Sequence, residues 1–154
     1  MKQTCTCPCG ASRFVVDGDP IGRFLCHCTI CQRLYAKPYA DVTCFWAKSI
    51  SLAQADAVAF RRHRAPPALR RGACRECGAP VINLLGPHPI AVAFAPAHTF
   101  ENRDALPRPS MHIFYERRVA DVPDSIPKVS GYWPSEISVT RMIFGGLLGF
   151  GRNG

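Results

Sequence analysis

The chain has 154 residues, nine of them cysteine, and a formal charge of +8 at neutral pH. That length suits one ordinary domain with a buried core and excludes two comfortable ones. No apolar export stretch follows Met1 and Lys2, and the most apolar run, 142–150, is well short of the roughly 20 residues that span a bilayer, so a cytoplasmic protein is expected rather than a disulfide scaffold or a membrane span.

The 14 prolines and 12 glycines are spread along the chain and divide it into short pieces. The apolar pieces are β-branched or aromatic, so a mainly β fold is expected, with strands at 13–16, 21–25, 39–45, 57–61, 81–85, 90–94 and 111–115. Helical periodicity is confined to 30–36 and to the tail from 136 to about 148. The stretch 102–110 reads as a surface loop and 122–133 as an irregular return punctuated by proline. We therefore expect one domain over 1–135, followed by an apolar tail over 136–154 that could fold over the core or mediate self-association.

Seven of the cysteines fall in close-spaced groups: Cys7 and Cys9, then Cys26, Cys28 and Cys31, then Cys74 and Cys77. A Cys-x-x-Cys turn chelates zinc without strain, and Gly78 after Cys77 suits a turn that needs positive φ. Cys7 and Cys9, followed by Gly10, are its natural partner, and four such ligands would clamp the beginning of the chain to its middle. Cys26, Cys28 and Cys31 offer three sulfurs in six residues with no fourth local ligand. Three protein ligands with one open vertex is the pattern of a catalytic zinc, and together the two sets call for two Zn²⁺ per chain. The competing reading is one four-cysteine ribbon plus spare buried thiols.

His27, between two chelating cysteines, is expected to point away from the metal as a supporting or substrate contact. Cys44 is expected as a small buried hydrophobe in a strand, and Cys5 is open to being mobile and reactive. Arg33, Arg61 and Arg62 could attract an anionic substrate, but such charge is usually a solvated face. The run Arg61-Arg62-His63-Arg64 with Arg70-Arg71 also admits a non-catalytic zinc module that binds nucleic acid or a protein partner. A third alternative, thiol redox work through Cys74 and Cys77, needs free thiols. The positive excess shrinks once seven thiols are counted as thiolates against two zinc ions.

The ordered motifs Cys7-Pro8-Cys9-Gly10, Cys26-His27-Cys28-Thr29-Ile30-Cys31 and Cys74-Arg75-Glu76-Cys77-Gly78 resemble the glutathione-dependent formaldehyde-activating enzyme family, which also includes centromere protein V-like members. The likeness runs from about Cys7 to Trp133 and takes in Phe45-Trp46-Ala47 and His112-Ile113-Phe114. It implies a small tent-like all-β zinc fold of short antiparallel strands. It also implies a structural zinc on Cys7, Cys9, Cys74 and Cys77, and a catalytic zinc on Cys26, Cys28 and Cys31. The implied reaction is a carbon–sulfur lyase-type addition of glutathione or a similar thiol to formaldehyde or a related small carbonyl, serving formaldehyde detoxification. Two features depart from the family: Gly72-Ala73 precedes Cys74 where an aromatic is usual, and the tail beyond Trp133 has no counterpart.

Overall fold

Alternation of inward and outward residues organises most of the chain. The structure is a computed structural model that describes residues 1–64, 69–87 and 90–147. Its strands are β1 (Lys2–Thr6), β2 (Arg13–Asp17), β3 (Gly22–Cys26), β4 (Ala40–Trp46), β5 (Ile50–Ser51), β6 (Val58–Arg62), β7 (Arg70–Cys74), β8 (Pro80–Leu85), β9 (Val92–Pro96) and β10 (His112–Ile113). Two helices accompany them, α1 (Thr29–Tyr35) and α2 (Tyr132–Leu147), so the mainly β expectation is met.

A small sheet has the order β1-β2-β5, and a larger one runs β10-β3-β4-β9-β8-β7-β6. All pairings are antiparallel except β10 on β3, where His112 lies opposite Leu25 and Ile113 opposite Cys26. The middle of the larger sheet is buried on both faces, as β4 and β9 show. Phe45, Ala93 and Ala95 join a core with Phe14, Val16 and Phe100, and the Phe45 and Phe100 rings stack at 5.8 Å. Val42, Cys44, Val92 and Phe94 join a second core with Phe24, Met111 and Ile113. Tyr132, Val139, Met142 and Ile143 of α2 pack against this second core, so the described part of the expected tail folds over it.

Each expected strand is present, but the last is cut to two residues. Phe114 takes the left-handed conformation (φ +54°), which ends β10 and starts a 3₁₀ turn at Tyr115. Three strands were not expected. β1 and β7 are polar or glycine-containing and lack a β signal of their own, and β5 has two residues. β7 exists because β6 and β8 pair with it on both sides, a tertiary cause invisible to local pattern. Helix α2 begins at Tyr132, earlier than expected, because Pro134 falls in its first turn, where no helical N–H bond is required. The expected end of that helix at 148 lies outside the described residues.

Candidate metal centres

Two turns, one near the start of the sequence and one at its middle, bring four of the sulfurs together. Gly10 N–H donates to Cys7 O at 2.9 Å and Gly78 N–H donates to Cys74 O at 2.9 Å. Both glycines have positive φ (+81° and +71°), which suits such turns. Ser12 N–H reaches Cys7 Sγ at 3.2 Å, while Ser12 Oγ donates to Ala57 O and ties the first turn to the sheet beside the second. Cys7 Sγ lies 3.4 Å from Cys9 Sγ and 3.6 Å from Cys74 Sγ, and Cys9 Sγ lies 3.7 Å from Cys74 Sγ. A zinc tetrahedron with bonds of about 2.3 Å has sulfur–sulfur edges of about 3.7 Å, so the donors are already spaced for that ion. With Cys77 the set of four sulfurs lies within 4.8 Å.

The second cluster is built at the junction of β3 and α1. Cys26 ends β3, Cys28 is the N-cap of α1, and Cys31 sits in its first turn, where its N–H donates to Cys28 Sγ at 3.4 Å. One side chain therefore both caps a helix and points its sulfur toward its neighbours. The three sulfurs lie within 4.8 Å of one another and all three residues are buried; no fourth His, Cys, Asp or Glu joins them among the described residues. Without a cation the thiols divide the proton load unequally. Hydrogen bonds from Cys26 and Cys31 push Cys28 down, and the hydrogen bond to Cys28 pushes Cys26 well up.

A cavity of about 90 Å³ opens beside these three sulfurs. Phe24, Leu85 and Phe94 give it apolar walls, and Arg64, Arg71 and Glu136 give it charge. Glu136 and Val139 belong to α2, so the C-terminal helix forms part of the wall. Arg64 Nη2 donates to Glu136 at 3.2 Å, and the Arg64 guanidinium lies 5.0 Å from the centre of the Tyr132 ring. Burial raises the Glu136 carboxyl above its ordinary range against the opposing pull of Arg64.

His27 turns away from the sulfurs, as expected, into a chain of three side chains that runs from two buried imidazoles to an exposed carboxylate. Its Nε2 meets His112 Nδ1 at 2.8 Å, and His112 Nε2 meets the Asp124 carboxylate at 3.0 Å. Gln32 Nε2 donates to both His27 O and Arg117 O, fixing the loop between Cys26 and Cys28 from the other side. The sequence reading lacked His112 as a site residue and Asp124 altogether, because 85 residues separate His27 from His112. In the sequence Arg64 and Arg71 belong to an arginine cluster that admits nucleic-acid binding, yet in the structure that cluster divides. Arg61 and Arg62 are exposed, whereas Arg71 is 8% exposed and faces the cavity. Cys5 and Cys44 are both fully buried, and burial raises the Cys5 thiol to about 12, so Cys5 is neither mobile nor reactive.

The model of the family described as glutathione-dependent formaldehyde-activating enzyme matches residues 2–117. The chain belongs to that family. The match contains all seven clustered cysteines and ends before Asp124 and α2. No curated protein matches the chain. Among solved structures, a crystal structure of a Rhodobacter sphaeroides protein, a structural-genomics target, superimposes with a TM-score of 0.52. It is 17% identical over 64% of this chain and 88% of that one, a likeness of fold alone. Membership gives a formaldehyde-activating type of function at the level of the family, and the two cysteine clusters could hold metal ions.

Proposed function

We propose that the chain is a zinc-dependent, carbon–sulfur lyase-like enzyme that adds a thiol, glutathione or a similar one, to formaldehyde or a related small carbonyl. In this reading Cys7, Cys9, Cys74 and Cys77 hold a structural Zn²⁺, and Cys26, Cys28 and Cys31 hold a catalytic one. The supporting observation is the contrast between the clusters: four sulfurs close one set, whereas the other has three sulfurs beside a cavity. Zinc bound there would supply Lewis acidity to a carbonyl oxygen or hold a thiol as its thiolate.

The chain's own groups supply position and enclosure. The Cys28 cap fixes the spacing of Cys28 and Cys31, and the His27–His112–Asp124 chain anchors the residue between Cys26 and Cys28. Phe24, Leu85 and Phe94 keep the cavity largely apolar, which strengthens any charge interaction within it. In the reaction a sulfur–carbon bond forms, the carbonyl π-bond opens, and the thiol proton ends on the new hydroxyl. Residues 1–135 form the catalytic unit in this reading, with the C-terminal segment from 136 contributing to its wall.

The protein is read as cytoplasmic; no helix among the described residues is long and apolar enough to cross a membrane. Elemental analysis should find about two zincs per chain, and exchange NMR should show faster formation of the thiol–formaldehyde adduct in the presence of the protein. One zinc, or no acceleration with a range of thiols, overturns the reading.

A further inference from the structure

The cavity beside the three cysteines contains more hydrogen-bond donors than the chain satisfies. Five buried side-chain atoms lack a partner among the described residues, and two of them, Arg71 Nη1 and Arg64 Nε, belong to residues lining this one cavity. Arg71 comes from β7, where it stands opposite Asn83 of β8, and Asn83 lines the same cavity. A buried guanidinium nitrogen without an acceptor is costly, because it has lost water and gained nothing in exchange. Glu136 does not relieve it: that carboxylate is held by Arg64 Nη2, and Arg71 Nη1 donates to none of the three sulfurs. Formaldehyde, with a single uncharged carbonyl oxygen, would supply neither the negative charge nor the paired oxygens that suit two guanidinium groups.

We propose that this cavity is a carboxylate site, in which Arg71, assisted by Arg64, holds an acid group of one of the two reactants beside the three sulfurs. The inference rests on reading the cavity as the reaction chamber. An arginine fork matches the planar, two-oxygen geometry of a carboxylate. The volume of about 90 Å³ limits the part enclosed to a few heavy atoms. Two reactants could carry the group: a small thiol acid, or a small carbonyl acid of the 2-oxo type. A second, larger recess of about 380 Å³ continues from Arg71 and Asn83 past Arg61, His63 and Arg75, and offers positive charge to the remainder of a longer anion.

The rival role for Arg71 is to balance the charge of the neighbouring thiolates, since its positive charge favours the ionised form of Cys28 and Cys31. Calorimetric titration of the full, zinc-loaded chain separates the two roles. One arm compares 3-mercaptopropionate with 3-mercaptopropanol, and the other compares glyoxylate with glycolaldehyde. The expected result is binding at least tenfold tighter for the acid in one arm, which identifies the reactant that carries it. In Arg71→Met the preference should fall to within about twofold while zinc stays at the wild-type content. If that variant does not fold, Arg64→Gln should show a reduced preference. Equal binding in both pairs overturns the proposal, as does an Arg71→Met protein that folds but loses zinc from the three-cysteine site. Failure of adduct acceleration with the acid preference intact would instead strike the lyase reading and leave the anion site standing.

Discussion

His27 Nε2 lies 2.8 Å from His112 Nδ1, and both imidazoles are fully buried. The Asp124 carboxylate can only accept, so His112 carries its hydrogen on Nε2 toward Asp124. A neutral His112 then accepts at Nδ1 from His27 Nε2–H. This assignment leaves His27 Nδ1 bare, in agreement with its lack of any partner. Lys128 Nζ, 2.8 Å from Asp124, completes the chain and is the main reason that carboxyl is lowered to about 2. His112 lies within the family-matched stretch, whereas Asp124 and Lys128, which complete the chain behind it, lie beyond the match.

Removing the middle of this chain should be costly. His112→Leu leaves His27 Nε2–H buried without an acceptor and should lower unfolding free energy by about 2 kcal/mol, the cost of an orphaned buried donor. Asp124→Asn keeps a hydrogen-bond acceptor on an exposed residue and should cost less than His112→Leu. Urea unfolding at fixed zinc concentration measures both. Equal stability of His112→Leu and wild type would show that the contact contributes nothing.

The same burial makes a pH prediction with a definite sign. His27 is lowered from 6.5 to about 4, chiefly by burial, with the positive charge of Arg118 acting in the same direction. Between those values the unfolded chain takes up a proton that the folded chain refuses, so stability is complete above about 6.5 and declines as pH falls toward 4. Thiol protonation and zinc release also act in acid, but they act on His27→Gln as well. The stability difference between wild type and His27→Gln should therefore shrink as pH drops from 6.5 to 4. A difference independent of pH would show that His27 titrates normally.

What the sequence could reveal follows from how local each cause is. The cysteine sets were legible because chelation needs short spacing, and Cys28 and Cys31 are placed by a single helical turn. Most strands were legible because their β-branched and aromatic residues alternate across a sheet buried on both sides. β7 was not, since Arg70, Arg71, Gly72 and Ala73 become a strand only through pairing with β6 and β8. The role of Arg71 was hidden for the same reason: in the sequence it belongs to a basic run, and only the sheet turns it inward. Asp124 and Glu136 sit in segments that read as loop and tail, and reach the site through contacts 12 and 72 residues apart in sequence.

Substitution within the two cysteine sets should have unequal consequences. Cys28→Ser should lower zinc content from about two to about one per chain and abolish adduct acceleration, while far-UV circular dichroism changes little. Cys74→Ser removes one of the four sulfurs that, in the proposed zinc site, would join β7 to the turn after β1, and closing so long a loop would contribute much to the folded state. That variant should lose the cooperative thermal transition or shift it sharply downward. Equal loss of structure in the two variants would contradict a division into structural and catalytic ions.

Gly72 tests whether β7 is as tightly packed as its composition demands. A Cβ at this position would lie 2.7 Å from Ile82 O, 2.7 Å from Val58 Cγ1 and 2.9 Å from Phe60 Cε1. The carbonyl belongs to the paired strand and cannot swing aside, so Gly72→Ala must displace β7 from β8 where the register already shifts between Gly72 and Ala73. Overpacking of this kind costs about 1–3 kcal/mol. Gly10→Ala is the comparison, since its Cβ meets nothing within 4 Å and only the positive φ is strained, at about 1 kcal/mol. Thermal melts should rank Gly72→Ala below Gly10→Ala. Because Gly72 lies between Arg71 and the approach to Cys74, the Gly72→Ala protein should also lose any preference for acids over alcohols in the calorimetric titrations, whereas Gly10→Ala should keep it.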